Sequence, residues 1–142
     1  MMPNKILIID DDVVVAEVIK SIVANAGYTP VVALNSPVLG SRRLLDFRAV
    51  ILDLWLSDGF FEDSLHALAR LNFRGGLVLM SGLDDEVLYE AAQMATNLGL
   101  DLLGYLHKPV RTDMLLDTLS RLKLSGGKPL QAPELPRTTL VR

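Results

Sequence analysis

The stretch Ala49-Val50-Ile51-Leu52-Asp53-Leu54 decides how this chain is read. A short apolar run between turn-like segments reads as a strand buried on both faces, as inside a parallel sheet, and Asp53 then emerges where that strand leaves the core. The other chemistry-bearing residues stand at the ends of similar runs. Asp10 and Asp11 follow Ile6-Leu7-Ile8-Ile9, Ser81 follows Leu77-Val78-Leu79-Met80, and Lys108-Pro109 follows the run from Leu102 to His107. An open parallel α/β sheet builds its site in this way, because ligands bind beyond the carboxyl ends of the strands.

Outward from that run, strand and helix patterns alternate. Lys5 to Ile9 reads as the first strand and Asp12 to Ala26 as a helix showing Val15, Val18, Ile19, Ile22 and Ala26 at helical spacing, with Asp12 as its N-cap and Gly27 as its stop. Thr29 to Leu34 is a second strand. Ser36-Pro37 is a cap and first-turn pair for a helix over about Val38 to Asp46. Arg48 to Asp53 is the third strand, Leu54 to Phe61 a loop, and Glu62 to Leu71 a helix with Leu65, Leu68 and Leu71 inward. Gly75-Gly76 breaks the chain before a fourth strand, Leu77 to Ser81. A helix follows from about Asp84 to Leu98, with Val87, Ala91, Met94, Ala95 and Leu98 on one face and acids at its positive end, and Gly99 closes it. Asp101 to Leu106 is the fifth strand, and Thr112 to Leu124 a last helix showing Leu115, Leu119 and Leu122. Five such pairs joined by right-handed crossovers place helices on both faces of a doubly wound, five-stranded parallel sheet, an α/β fold.

The domain is expected to span residues 4–124. Ser125-Gly126-Gly127-Lys128-Pro129 is a linker signal, and 125–142 reads as a C-terminal tail. With 142 residues, half of them hydrophobic, one core is the expectation. The net charge is −3 and Lys and Arg are scattered, which argues against direct nucleic-acid binding. There is no cysteine, so disulfides, thiolate metal sites and a cysteine nucleophile are excluded. No apolar run approaches the roughly 18 residues of a membrane span, and the first residues lack a signal-peptide pattern; a soluble, cytoplasmic protein without membrane contact is expected.

Asp10, Asp11 and Asp53 should meet at one edge of adjacent strands. Two carboxylates about 4 Å apart at an effective dielectric near 20 repel by roughly 4 kcal/mol, and a hard divalent cation removes that cost. Mg²⁺ suits a small oxygen-lined site that keeps several waters and also grips a phosphate. Lys108 adds a mobile point charge and Ser81 a hydroxyl. A carboxylate nucleophile, a metal, a cation and a hydroxyl together suit an incoming phosphoryl group.

The chain resembles a response-regulator receiver domain over about residues 4–124. The resemblance is carried by Ile-Leu-Ile-Ile-Asp-Asp-Asp at 6–12, Ile-Leu-Asp-Leu at 51–54, Met-Ser-Gly at 80–82 and Lys-Pro at 108–109. It implies a flavodoxin-like fold with strand order 2-1-3-4-5, the order the chemotaxis receiver exemplifies. It also implies that Asp53 accepts phosphate from a histidine kinase or phosphotransfer protein. Asp11 and Asp53 would bind Mg²⁺ directly and Asp10 through water, with the backbone carbonyl of Trp55 as a further ligand. Lys108 would contact the phosphoryl oxygens and Ser81 would swing in to hydrogen-bond one of them. Tyr105, three positions before the lysine, would turn inward with it and switch the surface of the fourth helix, fifth strand and fifth helix. That surface would serve an output domain, an effector protein or a homodimer. Self-catalysed phosphorylation and dephosphorylation are the only catalysis implied.

The sequence departs from the receiver pattern after the acceptor, with Ser57 where Pro is usual and Phe61 where Gly is usual, which calls for a different backbone conformation there. Trp55 is placed either to limit the approach of water or a phosphatase or simply to cover the loop. His66 and His107 read as surface or packing residues. The segment from Leu98 to Pro109, with Met80-Ser81-Gly82, is similar to receivers attached to EAL-type cyclic di-GMP phosphodiesterases. Two other readings stand beside this one. A haloacid-dehalogenase-like phosphatase would use the Asp-x-Asp spacing within Asp10-Asp11-Asp12, and a pseudo-receiver would be an interaction module on the same fold.

Overall fold

A computed structural model of the chain describes residues 4–35, 37–56, 59–82 and 84–125. The expected helix cap at Ser36, the Ser57 departure and the tail beyond Ser125 lie outside them.

Strands β1 (Lys5–Ile9), β2 (Thr29–Ala33), β3 (Ala49–Asp53), β4 (Gly76–Ser81) and β5 (Asp101–His107) form one parallel sheet in the order β2-β1-β3-β4-β5. This is the doubly wound, flavodoxin-like arrangement. Every residue of β3 and β4 is buried, as expected for central strands covered on both faces. Alternation along the strands divides the core. Ile6, Ile8, Ile51, Val78 and Met80 face α1 (Val13–Asn25) and α4 (Thr112–Ser125), whose Ile19, Val23, Leu115 and Leu119 complete that layer. Leu7, Ile9, Leu52, Leu77 and Leu79 face α2 (Phe61–Arg70) and α3 (Asp85–Asn97), meeting Leu65, Leu68, Leu88, Ala91 and Ala95. Each such Leu or Ile contributes roughly 1.5–3 kcal/mol by leaving water. Among the described residues no helix is long and apolar enough to cross a membrane.

Local chemistry explains the element ends. The Asp12 carboxylate accepts from Val14 and Val15 N–H at 3.0 and 3.3 Å, and Asp84 accepts from Val87 N–H at 3.1 Å, satisfying donors the first turns of α1 and α3 leave over. Both helices stop at glycines with positive φ, Gly27 at 98° and Gly99 at 82°.

Three expectations are corrected. The helix over Val38 to Asp46 is two short 3₁₀ segments, Pro37–Gly40 and Arg42–Asp46, the second capped by Ser41 Oγ on Arg43 N–H. Gly40 and a serine competing for backbone donors in the middle of the span interrupt an α-helix, so the sheet is flanked by four α-helices among the described residues. Val18 is 50% exposed, while Ala16 and Val23 take inward positions on α1. The stretch after Asp53 is not irregular throughout: Trp55–Leu56 pairs antiparallel with Gly59–Phe60 in a small ribbon. Phe61 begins α2 and packs partly buried against the core, so a bulky residue is accommodated there in helical backbone.

Close approach of β3 and β4 depends on Gly75. A Cβ there would lie 2.5 Å from Phe73 Cζ and 2.6 Å from the Arg48 carbonyl oxygen, a main-chain atom that cannot rotate away. Gly75→Ala should therefore destabilise the domain by about 1–3 kcal/mol, read as a lower denaturant midpoint at unchanged slope; an unchanged midpoint would contradict this packing.

Candidate functional site

The site grows from three strand ends. Asp10 follows β1, Asp53 closes β3, and Ile9 stands in register with Leu52, so the two carboxylates leave the sheet side by side. Lys108 follows β5 and brings Nζ to 2.9 Å from Asp10 Oδ2 and 2.9 Å from Asp53 Oδ2. One ammonium thus bridges two carboxylates from different strands. The chain turns away through a cis peptide bond between Lys108 and Pro109. Asp11 joins the group: carboxylate oxygens of Asp10, Asp11 and Asp53 lie within 4.8 Å of one another, with Asp11 the most open to solvent.

Backbone donors fix the acids. Asp12 N–H donates to Asp10 Oδ1 at 2.9 Å and Trp55 N–H to Asp53 Oδ1 at 3.2 Å. The other oxygen of Asp10 is buried and, apart from the close approach of Lys108, has no hydrogen bond of good geometry. Asp10 is fully buried and Asp53 is 3% exposed. Burial pushes the Asp53 carboxyl above its ordinary value, and Asp10 adds to that, while Lys108 and the Trp55 N–H only partly offset it. For Lys108, burial pulls downward, but hydrogen bonds and charge from Asp10 and Asp53 outweigh it and the ammonium is held more firmly than usual.

This donor set fits a hard divalent cation. It presents oxygens only and carries a negative excess over its one lysine, which bridges Asp10 and Asp53. Because the pKa of Asp53 is raised on folding, its ionised form at neutral pH works against the folded state. Asp53→Asn should therefore raise the metal-free melting stability, by about 1 kcal/mol as is common when a functional-site conflict is relieved. A lowered melting temperature in EDTA would contradict that electrostatic account.

The remaining expected site residues lie around this centre. Ser81 ends β4 fully buried, and its carbonyl accepts from Lys108 N–H at 2.9 Å. Trp55 sits beside the acceptor in the ribbon with its side chain largely outward, 57% exposed. Tyr105 is half-buried on β5, opposite Leu79, and packs against the layer containing α3. The sequence reading missed the ribbon and the contact of His107 Nε2 with Asp85 Oδ1, which links the end of β5 to the first turn of α3. The only available signal for that link was a histidine at a strand end facing an acidic helix start. Asp12, the third of the acidic run, serves as a helix cap and stands outside the cluster.

A parallel sheet of this order, with acids beyond β1 and β3 and a lysine beyond β5, defines a class, and the chain has the fold of response-regulator receiver domains. It is similar to a response regulator from Colwellia psychrerythraea, at 26% identity and TM-score 0.69 over 86% of this chain and 98% of that one. It is also similar to the signal receiver domain of a response regulator from Bermanella marisrubri, at 26% identity and TM-score 0.70 over 86% and 99%. A CheY-like receiver domain protein from Methanospirillum hungatei shares 23% identity, with TM-score 0.66 over 86% and 95%. No protein-family model and no curated protein matches the chain.

Proposed function

We propose that the chain is a phosphate-accepting signal receiver of a two-component system, acting in the cytoplasm, with Asp53 as the acceptor. The observation that carries this reading is the Lys108 ammonium at 2.9 Å from both the Asp10 and Asp53 carboxylates at the carboxyl edge of the sheet. An Asp53 oxygen bonds to phosphorus as the phosphorus–nitrogen bond of a phosphohistidine breaks, the electron pair returning to the imidazole of the kinase or phosphotransfer protein. The product is an acyl phosphate. Lys108, already anchored by Asp10, then turns its charge to the phosphoryl oxygens, and the Ser81 hydroxyl hydrogen-bonds one of them. Asp10, Asp11, Asp53 and the Trp55 carbonyl would hold Mg²⁺, which when bound offsets the charge gathered by the carboxylates and the phosphoryl group.

Transmission runs from Ser81 to Tyr105. Both lie on the β4–β5 side of the site, and inward movement of the ring would alter the surface of α3, β5 and α4 presented to an output domain, an effector or a second copy. Tyr105→Ala should leave phosphoryl uptake within about twofold while weakening phosphate-dependent association by about 1 kcal/mol or more. Binding to the cognate partner, or self-association followed by static light scattering, reads the effect; unchanged association would reduce Tyr105 to packing.

The phosphatase reading is disfavoured by Asp12, whose carboxylate is engaged on Val14 and Val15 N–H and not in the acidic cluster. Phosphoryl uptake from acetyl phosphate in the presence of Mg²⁺, mapped to a residue by mass spectrometry, tests the proposal against both alternatives.

A further inference from the structure

β4 stands between β3 and β5 in the sheet, so Asp53 lies on one side of Ser81 and the end of β5 on the other. The β5 side holds Ser81 and the start of α3 at two points. Lys108 N–H donates to the Ser81 carbonyl at 2.9 Å, and His107 Nε2 meets Asp85 Oδ1 in the first turn of α3. The connection from Ser81 to Asp85 is thus fastened to β5 at both of its ends. It also has room to shift, since a Cβ added at Gly82 would meet nothing within 4 Å.

His107 belongs to the face of the sheet that carries the switch. Residues two apart on a strand share a face, and Tyr105 packs into the layer of Leu79, Leu88 and Ala91. His107 therefore stands on the α3 side of β5, in register with Ser81. In the mechanism proposed above, the Ser81 hydroxyl moves toward a phosphoryl group on Asp53, which is toward β3. That displacement is directed away from β5 and stretches the span from His107 to Asp85. A contact made at rest and given up in the phosphorylated arrangement biases the equilibrium toward rest. Both side chains are 53% exposed, and an exposed pair moves an equilibrium by up to about fivefold, enough to tune a switch without blocking it.

We propose that His107 and Asp85 form a latch that holds the β4–α3 connection against β5 and opposes the movement of Ser81 toward Asp53, a role that rests on the receiver reading given above. Opening the latch favours the phosphorylated arrangement, so loss of either half is a gain in the response to a phosphoryl group.

Titration of the full chain with beryllofluoride, a phosphoryl mimic, in excess Mg²⁺ tests this, with the bound species followed by fluorine NMR. His107→Leu and Asp85→Ala should each tighten the apparent affinity by about two- to fivefold. The double variant should bind no tighter than either alone, because both changes remove the same contact. A purely structural contact would lower the melting temperature on its loss without tightening binding. Single variants that bind no tighter than the wild type, or a double variant in which the two gains multiply, would overturn the latch while leaving the receiver reading in place. A wild-type chain that does not bind beryllofluoride would overturn the receiver reading and the latch with it.

Discussion

Asp53→Asn should abolish phosphoryl incorporation from acetyl phosphate, a loss of at least about 10³-fold, the scale on which removing a nucleophile acts. The carboxamide keeps the shape of the side chain and still accepts the Trp55 N–H, which lies 3.2 Å from Asp53 Oδ1. It offers no anionic oxygen to phosphorus. Lys108 retains its contact with Asp10 at 2.9 Å, so the loss cannot be ascribed to collapse of the site. The same variant is expected to melt higher without metal, and a protein that is more stable yet inert to acetyl phosphate separates chemistry from folding. Labelling that persists on another residue would remove Asp53 from the acceptor role.

Lys108→Met should be the most damaging change to metal-free stability, about 3 kcal/mol, because it leaves Asp10 and Asp53 close together without their shared cation. Mg²⁺ should recover much of the loss: a ligand at a hundred times its Kd stabilises by about 2.7 kcal/mol. Thermal melts in EDTA and in excess Mg²⁺ read both effects, and equal melting shifts in the two buffers would contradict the bridged-carboxylate account. The pH dependence of this contribution has a definite sign. The folded-state pKa of Lys108 is raised, so its stabilisation is complete below the unfolded value and disappears as pH climbs through the folded one. At neutral pH it is therefore fully present.

The parallel sheet was legible because its strands are apolar runs long enough to be buried on both faces, each ending in a turn residue or a charge. The strand-end positions of Asp10, Asp53, Ser81 and Lys108 followed from the same pattern. The bridging of two acids by Lys108 did not, since it depends on how far β5 stands from β1 across the sheet. The segment 38–46 misled because its leucines imitate a helical stripe while Gly40 and Ser41 interrupt the helix; composition at two positions outweighed periodicity over the rest. Val18 misled for another reason: apolar identity alone cannot say whether a residue lies at the margin of a buried stripe or beyond it. The ribbon at Trp55–Leu56 and Gly59–Phe60 is made by two residue pairs, too few for any period to register.

Intact-mass measurement after incubation with acetyl phosphate and Mg²⁺ tests the central claim most directly. A single phosphoryl adduct that maps to Asp53, requires Mg²⁺ and vanishes in Asp53→Asn is the predicted result. Steady hydrolysis with an adduct on Asp10 or Asp12, or a chain that takes up no phosphoryl group at all, would contradict it.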